Sequence, residues 1–169
     1  MAKPNLSNVP EYYHKYIEQV NADGVMEALE QHRQFFDHYL ENLPPAKWEY
    51  AYAPGKWTIK EVVQHIIDSE RIFAYRALRI ARKDPTPLPG FDENMFALNA
   101  RAKKRKTSEL VDEFSIVRNS SLALFRSFDD DQIKSIGVAN EQPISVEGIG
   151  FIIAGHGLHH VNIINERYL

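Results

Sequence analysis

Two histidines near the end of the chain have the spacing of metal ligands. His156 and His160 occur in the run His-Gly-Leu-His-His and are four residues apart. In a helix their imidazoles therefore lie on one face, one turn apart. Imidazole nitrogens bind divalent ions at about 2.0–2.1 Å, so two rings on one face can reach the same ion. His159 points about a quarter of a turn away from His160, and we do not expect it to share this site equally.

The surroundings of these two histidines predict that they are buried. Both continue an isoleucine-rich stripe that runs through residues 149–164. A buried imidazole needs a partner for each ring nitrogen, and a metal ion satisfies two rings together. The alternative, two unrelated histidines on a solvated face, does not explain the stripe. Gly155 and Gly157 each cost up to about 1 kcal/mol relative to alanine in a helix, which predicts room for a ligand or a close-packed neighbour.

A stable site needs a third ligand from elsewhere in the chain. His65 lies at the edge between the apolar stripe and the polar face of its predicted helix. His32 lies on an apolar stripe, where a hydrogen-bonded core role is as plausible as ligation. His14 is near the terminus, and His38 falls off the main stripe of its helix. Spacing alone prefers His65 only weakly.

Four segments with the apolar repeat of amphipathic helices must position these residues. They span about 22–43, 58–82, 107–128 and 145 almost to the C-terminus. A short helix near 10–20 and an extended or hairpin excursion at 134–144 complete the prediction. Four such helices predict an all-α, four-helix bundle with one shared core, forming a single domain over residues 1–169.

The composition excludes several classes of protein. The 169 residues include 20 Lys and Arg against 23 Asp and Glu, for a formal charge of -3, which favours neither nucleic acid nor an anionic membrane as a partner. The absence of cysteine excludes disulfides, thiolate ligands and a protein thiol nucleophile. The uncharged stretch 148–165 contains three histidines, two asparagines and four glycines, so we expect no membrane span. The first 16 residues lack the apolar core of a signal peptide, which predicts a cytoplasmic protein.

Two motifs resemble those of the DinB/YfiT-like family. They are Pro-Gly-Lys-Trp-Thr-Ile-Lys-Glu-Val-Val-Gln-His over residues 54–65 and Gly-His-Gly-Leu-His-His over residues 155–160. In that family one histidine comes from the second helix and two, four residues apart, come from the last. The resemblance covers nearly the whole chain and implies a metalloenzyme bundle with the ligands His65, His156 and His160. It also implies a homodimer, which an aromatic content of 11% supports by leaving apolar surface for the contact.

Two further stretches are candidates for function. The segment Phe-Asp-Glu-Asn at 91–94 resembles a family segment near the cleft, so Asp92 is a candidate base beside the metal ligands. An acidic loop that starts a helix is an equally good interpretation of the same residues. The basic cluster at 101–106 has no interleaved aromatic residues and is better explained as a solvated linker.

Three protein ligands leave at least one open position, as in catalytic metal sites. Neutral imidazoles suit zinc, nickel, iron and cobalt alike, so we expect one divalent ion of undetermined identity. One hypothesis is an enzyme that transfers a small cellular thiol to an electrophile, and the thiol transferases among the relatives favour it slightly. The second is a hydrolase in which the metal lowers the pKa of bound water. The third is a metal-binding, stress-related protein without turnover. Both enzyme hypotheses imply a small-molecule substrate.

Overall fold

The computed structural model describes residues 3–169, which are mainly helical. The helices are α1 (His14–Ile17), α2 (Val25–Glu41), α3 (Ile59–Ala81), α4 (Glu93–Ala100), α5 (Thr107–Arg126), α6 (Asp130–Ile133) and α7 (Val146–Arg167). The strands β1 (Ile136–Ala139) and β2 (Gln142–Ser145) form an antiparallel hairpin in which Ile136 pairs with Ser145. Over the described residues, no helix is both long enough and apolar enough to cross a membrane.

The four long helices form a bundle with an unusual order of neighbours. Helix α3 packs against α5 and α7, and α2 also packs against α5 and α7. The consecutive helices α2 and α3 therefore occupy opposite corners of the bundle, joined by the long connection 42–58. The prediction of an all-α, four-helix bundle is confirmed, with the hairpin as a small addition.

The predicted starts of α3 and α7, at Thr58 and Ser145, are confirmed, and each start is set by a side-chain cap. The Thr58 side chain accepts a hydrogen bond from the backbone N–H of Glu61, and the Glu61 carboxylate accepts one from the backbone N–H of Thr58 at 2.8 Å. The Ser145 hydroxyl accepts from the backbone N–H of Gly148 at 3.0 Å. Such caps satisfy donors that the first turn of a helix leaves unpaired.

Helix α4 lies outside the four periodic segments that the sequence predicts. The Asp92 side chain caps it by accepting from the backbone N–H groups of Asn94 and Met95. Its apolar side chains Met95, Phe96 and Leu98 are exposed, and Ala97 alone is buried within it. A helix without a buried apolar stripe has no periodic signal in the sequence.

A polar layer divides the core of the bundle into two apolar clusters. One cluster joins the N-terminal half of α7 to α1 and the C-terminal half of α3, and the other joins the C-terminal half of α7 to the N-terminal half of α3. The polar layer between the clusters contains His32, Glu70 and Arg118 on one side. On the other side it contains the three predicted metal ligands His65, His156 and His160. Arg118 donates two hydrogen bonds of 2.9 Å to the Glu70 carboxylate, and both side chains are buried.

Gly155 and Gly157 allow two neighbours to approach α7 closely. A Cβ atom on Gly155 would lie 2.1 Å from the backbone oxygen of Tyr16 in α1. A Cβ atom on Gly157 would lie 2.7 Å from the Phe36 ring of α2. The space that these glycines were expected to leave is therefore filled by close-packed neighbours.

We expect Gly155→Ala to lower the free energy of unfolding by about 1 kcal/mol. Overpacking against a backbone oxygen costs about 1–3 kcal/mol, whereas the gain in helix propensity is at most about 1 kcal/mol. Urea denaturation measures the difference. Ser120→Ala, on the exposed face of α5, gains propensity without a contact and should be neutral or stabilising. A stabilised Gly155→Ala protein would contradict the close contact.

His32 should make the stability of the fold depend on pH. Burial, followed by the charge of Arg118, lowers the pKa of His32 to about 4. The unfolded chain binds this proton near pH 6.5, so the contribution to stability is present above pH 6.5 and is lost as the pH falls toward 4. At pH 4.5 the loss should be roughly 2–3 kcal/mol. Comparing urea denaturation of wild type and His32→Gln at pH 7 and 4.5 measures it. His38→Gln, on the exposed side of α2, should lose as much stability between pH 7 and pH 4.5 as wild type does.

Candidate metal centre

Helices α3 and α7 bring three histidines together in the polar layer. Nε2 of His156 lies 3.1 Å from Nε2 of His65 and 3.0 Å from Nε2 of His160. The candidate ligand atoms of all three residues lie within 4.8 Å of one another. His65 and His156 are buried and His160 is half-buried. The four-residue spacing in α7 and the contact of α7 with α3 produce this convergence.

The donor set of this cluster fits a metal ion. A neutral ring nitrogen carries either one proton or one lone pair, so Nε2 of His156 can make a well-formed hydrogen bond with only one of its two neighbours. One ion can accept a lone pair from each of the three nitrogens. The Ser69 hydroxyl oxygen lies 3.5 Å from Nδ1 of His65. A proton on that Nδ1 leaves the lone pair on Nε2 free for ligation.

The electrostatics of the cluster keep its rings neutral. Burial lowers the pKa of His65 to about 4. Burial, and then the neighbouring histidines, hold the pKa values of His156 and His160 well below the ordinary range. The neutral imidazole is the form that binds a metal, so these rings are ready to act as ligands at neutral pH. Ligation itself stays a prediction.

The structure places the other histidine candidates outside the cluster. The His159 ring lies 5.0 Å from the Tyr16 ring, measured between centroids. Nε2 of His14 lies 3.1 Å and 2.9 Å from the backbone oxygens of Leu6 and Val9, so His14 has a structural role. His32 is buried beside Arg118, and His38 is exposed on α2.

A cavity of about 460 Å³ opens beside the three histidines. Its walls are largely aromatic, and they come from the N-terminal segment, α3, the start of α4 and the hairpin. Besides the histidines, the residues that matter most for its chemistry are Tyr12, Tyr13, Tyr16, Trp57, Ser69, Phe73, Arg76, Phe91 and Glu93. A concave site that combines aromatic walls with convergent polar groups is typical of small-molecule binding.

Tyr13 and Tyr16 in this wall are neutral hydrogen-bond donors. Burial raises the pKa of Tyr13 and that of Tyr16, so both phenols keep their protons at neutral pH. The hydroxyl of Tyr16 donates to the hydroxyl oxygen of Tyr12 at 3.3 Å.

The acidic side chain in the cavity wall is Glu93 and not Asp92. The exposed Asp92 carboxylate caps α4, which agrees with the interpretation of this segment as the start of a helix. Glu93, the next residue, lines the cavity with Phe91.

Phe73 and Arg76, which line the cavity, are not among the site residues that the sequence predicts. They lie eight and eleven residues after His65, and this spacing places all three on one face of α3. This helical spacing from His65 is the signal in the sequence that could have identified both residues.

The chain belongs to the DinB superfamily, whose family model matches residues 28–164. Among solved structures, the chain is similar to YfiT from Bacillus subtilis, described as a probable metal-dependent hydrolase with an unusual four-helix bundle topology. The TM-score is 0.71 and the identity 22%, over 97% of this chain and 90% of that one. This likeness supports the fold. Comparison with curated protein sequences gives no significant match.

We expect the purified protein to retain about one divalent ion per chain. Alanine at His65, His156 or His160 removes one of three ligands and should lower the metal affinity by more than about 100-fold. Elemental analysis after dialysis against a weak chelator measures the retained metal. His159→Ala is the matched control on the same helix and should keep its ion. Full metal content in His65→Ala would exclude that residue from the site.

Proposed function

We propose that this protein is a metal-dependent enzyme acting on a small molecule, and that it is a hydrolase. The observation that carries the proposal is the open cavity beside three convergent histidines. Structural zinc sites are closed by four protein ligands, whereas catalytic sites keep a position free. Within residues 3–169, the cluster at this position contains three candidate ligands. His65, His156 and His160 would hold the ion.

The cavity supplies the remaining requirements of such an enzyme. A divalent ion bound there would provide Lewis acidity, which activates water for hydrolysis or deprotonates a thiol for transfer. The rings of Trp57 and Phe73 offer apolar contact to the body of a substrate. The protonated phenols of Tyr13 and Tyr16 can donate hydrogen bonds to its oxygens. Glu93 is exposed at the rim and offers carboxylate oxygens that accept a proton.

The choice of hydrolysis rests on the structural neighbour. YfiT shares the bundle fold with this chain and is described as a probable metal-dependent hydrolase. A common fold does not determine the reaction by itself, and ester hydrolysis by the metal-loaded protein tests the assignment.

Transfer of a low-molecular-weight thiol is the second candidate. The resemblance seen in the sequence slightly favoured this reaction over hydrolysis. The chain has no cysteine, so the sulfur would come from a cosubstrate. The observation that favours this reaction is the scarcity of carboxylates in the wall: among the described residues that line the cavity, Glu93 is the one carboxylate, and it is exposed. A thiol that loses its proton on ligation needs no protein base.

Zinc-loaded protein should hydrolyse p-nitrophenyl acetate in the absence of thiol. His160→Ala should reduce the rate by at least about 100-fold, because the variant lacks a ligand. His38→Ala, which alters an exposed side chain on α2, is the control and should match wild type. Release of p-nitrophenolate measures the rate.

The same proteins, incubated with a small thiol and monobromobimane, separate the two reactions. The protein would be a transferase and not a hydrolase if it consumed the bimane without hydrolysing the ester. That consumption would have to require both the thiol and an intact His160. Equal rates in wild type and His160→Ala with both substrates would contradict an enzyme at this site.

A further inference from the structure

Arg76 is a buried cation in the wall of the cavity without an acidic partner. Its residue surface is only 3% exposed, and it lines the same cavity as the three histidines. Nη2 donates a hydrogen bond of 2.7 Å to the backbone oxygen of Pro89. Within residues 3–169, no carboxylate oxygen lies within 4.0 Å of its guanidinium nitrogens.

A comparison with Arg118 shows that this arrangement is unusual within the molecule. Arg118 is also buried, but its guanidinium is paired with the Glu70 carboxylate through two hydrogen bonds of 2.9 Å. Removing a charge from water costs several kcal/mol unless an opposite charge or several hydrogen bonds compensate. Around Arg76 the compensation consists of the Pro89 oxygen, the Tyr13 hydroxyl and the Phe73 ring, whose centroid lies 5.7 Å from the guanidinium carbon. An opposite charge is missing.

The position of Arg76 relates it directly to the candidate metal centre. His65, Ser69, Phe73 and Arg76 follow one another along one face of α3, and all four line the cavity. Eleven residues of helix separate the Cα atoms of His65 and Arg76 by about 16 Å. Helical side chains lean toward the N-terminus, so the Arg76 side chain leans toward the histidines and shortens this gap. A small molecule can therefore span the two ends of the cavity.

We propose that the cavity binds an amphipathic anion whose carboxylate or phosphate group is held by Arg76. The planar guanidinium matches both groups because it can donate two parallel hydrogen bonds. The apolar body of the ligand lies against Phe73 and the tyrosines, and its other end reaches the histidines. Only the contact between the ligand and the histidines rests on the proposed function, because the Arg76 contact needs no metal.

Glu93 also lines the cavity but does not neutralise Arg76. Within residues 3–169, no ion pair closer than 4.0 Å joins its carboxylate to the guanidinium. The positive charge of Arg76 is therefore available to an anionic group of a ligand.

Binding of hydrocinnamate, phenyl phosphate and the neutral hydrocinnamamide to the full-length protein, measured by calorimetry, tests the proposal. We expect at least one of the two anions to bind at least about tenfold more tightly than the amide. Arg76→Gln should abolish that preference, and Arg76→Lys should retain part of it. Arg82→Gln is the matched control, because Arg82 is the C-cap residue of the same helix but is exposed and outside the cavity. The anion that shows the larger Arg76-dependent preference identifies the group as carboxylate or phosphate.

Repeating the titration with His160→Ala separates this proposal from the metal site. An anion preference that survives in His160→Ala and is absent in Arg76→Gln supports Arg76 as the receptor, whatever the reaction. A preference that disappears in His160→Ala but survives in Arg76→Gln would assign the anion to the metal and overturn the proposal. Equal binding of the amide and both anions to wild type would also overturn it, even if Arg76→Gln failed to fold.

Discussion

The contact between α3 and α7 within the polar layer is the constraint on which the site depends. It brings Nε2 of His65 to 3.1 Å from Nε2 of His156, although the two residues are 91 positions apart in the chain. The glycines of α7 let α1 and α2 approach closely, so that Tyr16 packs beside the histidines. Any change that separated these helices would open the histidine cluster and the cavity wall together.

The buried polar groups of the bundle fall into two kinds. Glu70 and Arg118 form an ion pair with two hydrogen bonds between the two apolar clusters, although Nη1 of Arg118 has no partner in the described part of the chain. The three convergent imidazoles and the guanidinium of Arg76 have no acidic partner within residues 3–169. Buried polar groups are ordinarily paired, because an unpaired one costs free energy. The difference distinguishes groups that serve the fold from groups that are available to ligands.

The two sides of the site come from different kinds of element. The candidate ligands come from two long helices whose neighbours pack them on several sides, and sites on such elements are held precisely in place. The opposite walls come from shorter elements, namely the N-terminal segment, the start of α4 and the hairpin. The homodimer and the cytoplasmic location that the sequence favours stay predictions.

The bundle could be predicted from the sequence alone, because apolar periodicity and caps such as Thr58 and Ser145 are local signals that each helix carries. It also determined that His156 and His160 share a face, since their spacing matches one helical turn. Spacing left His65 only weakly preferred over other histidines, and the position of α3 beside α7 decided which one meets them. The cavity and the roles of Glu93 and Arg76 likewise depend on the tertiary structure. Their signals are not periodic or local: a missing partner for a buried charge is visible only when every neighbouring element is in place.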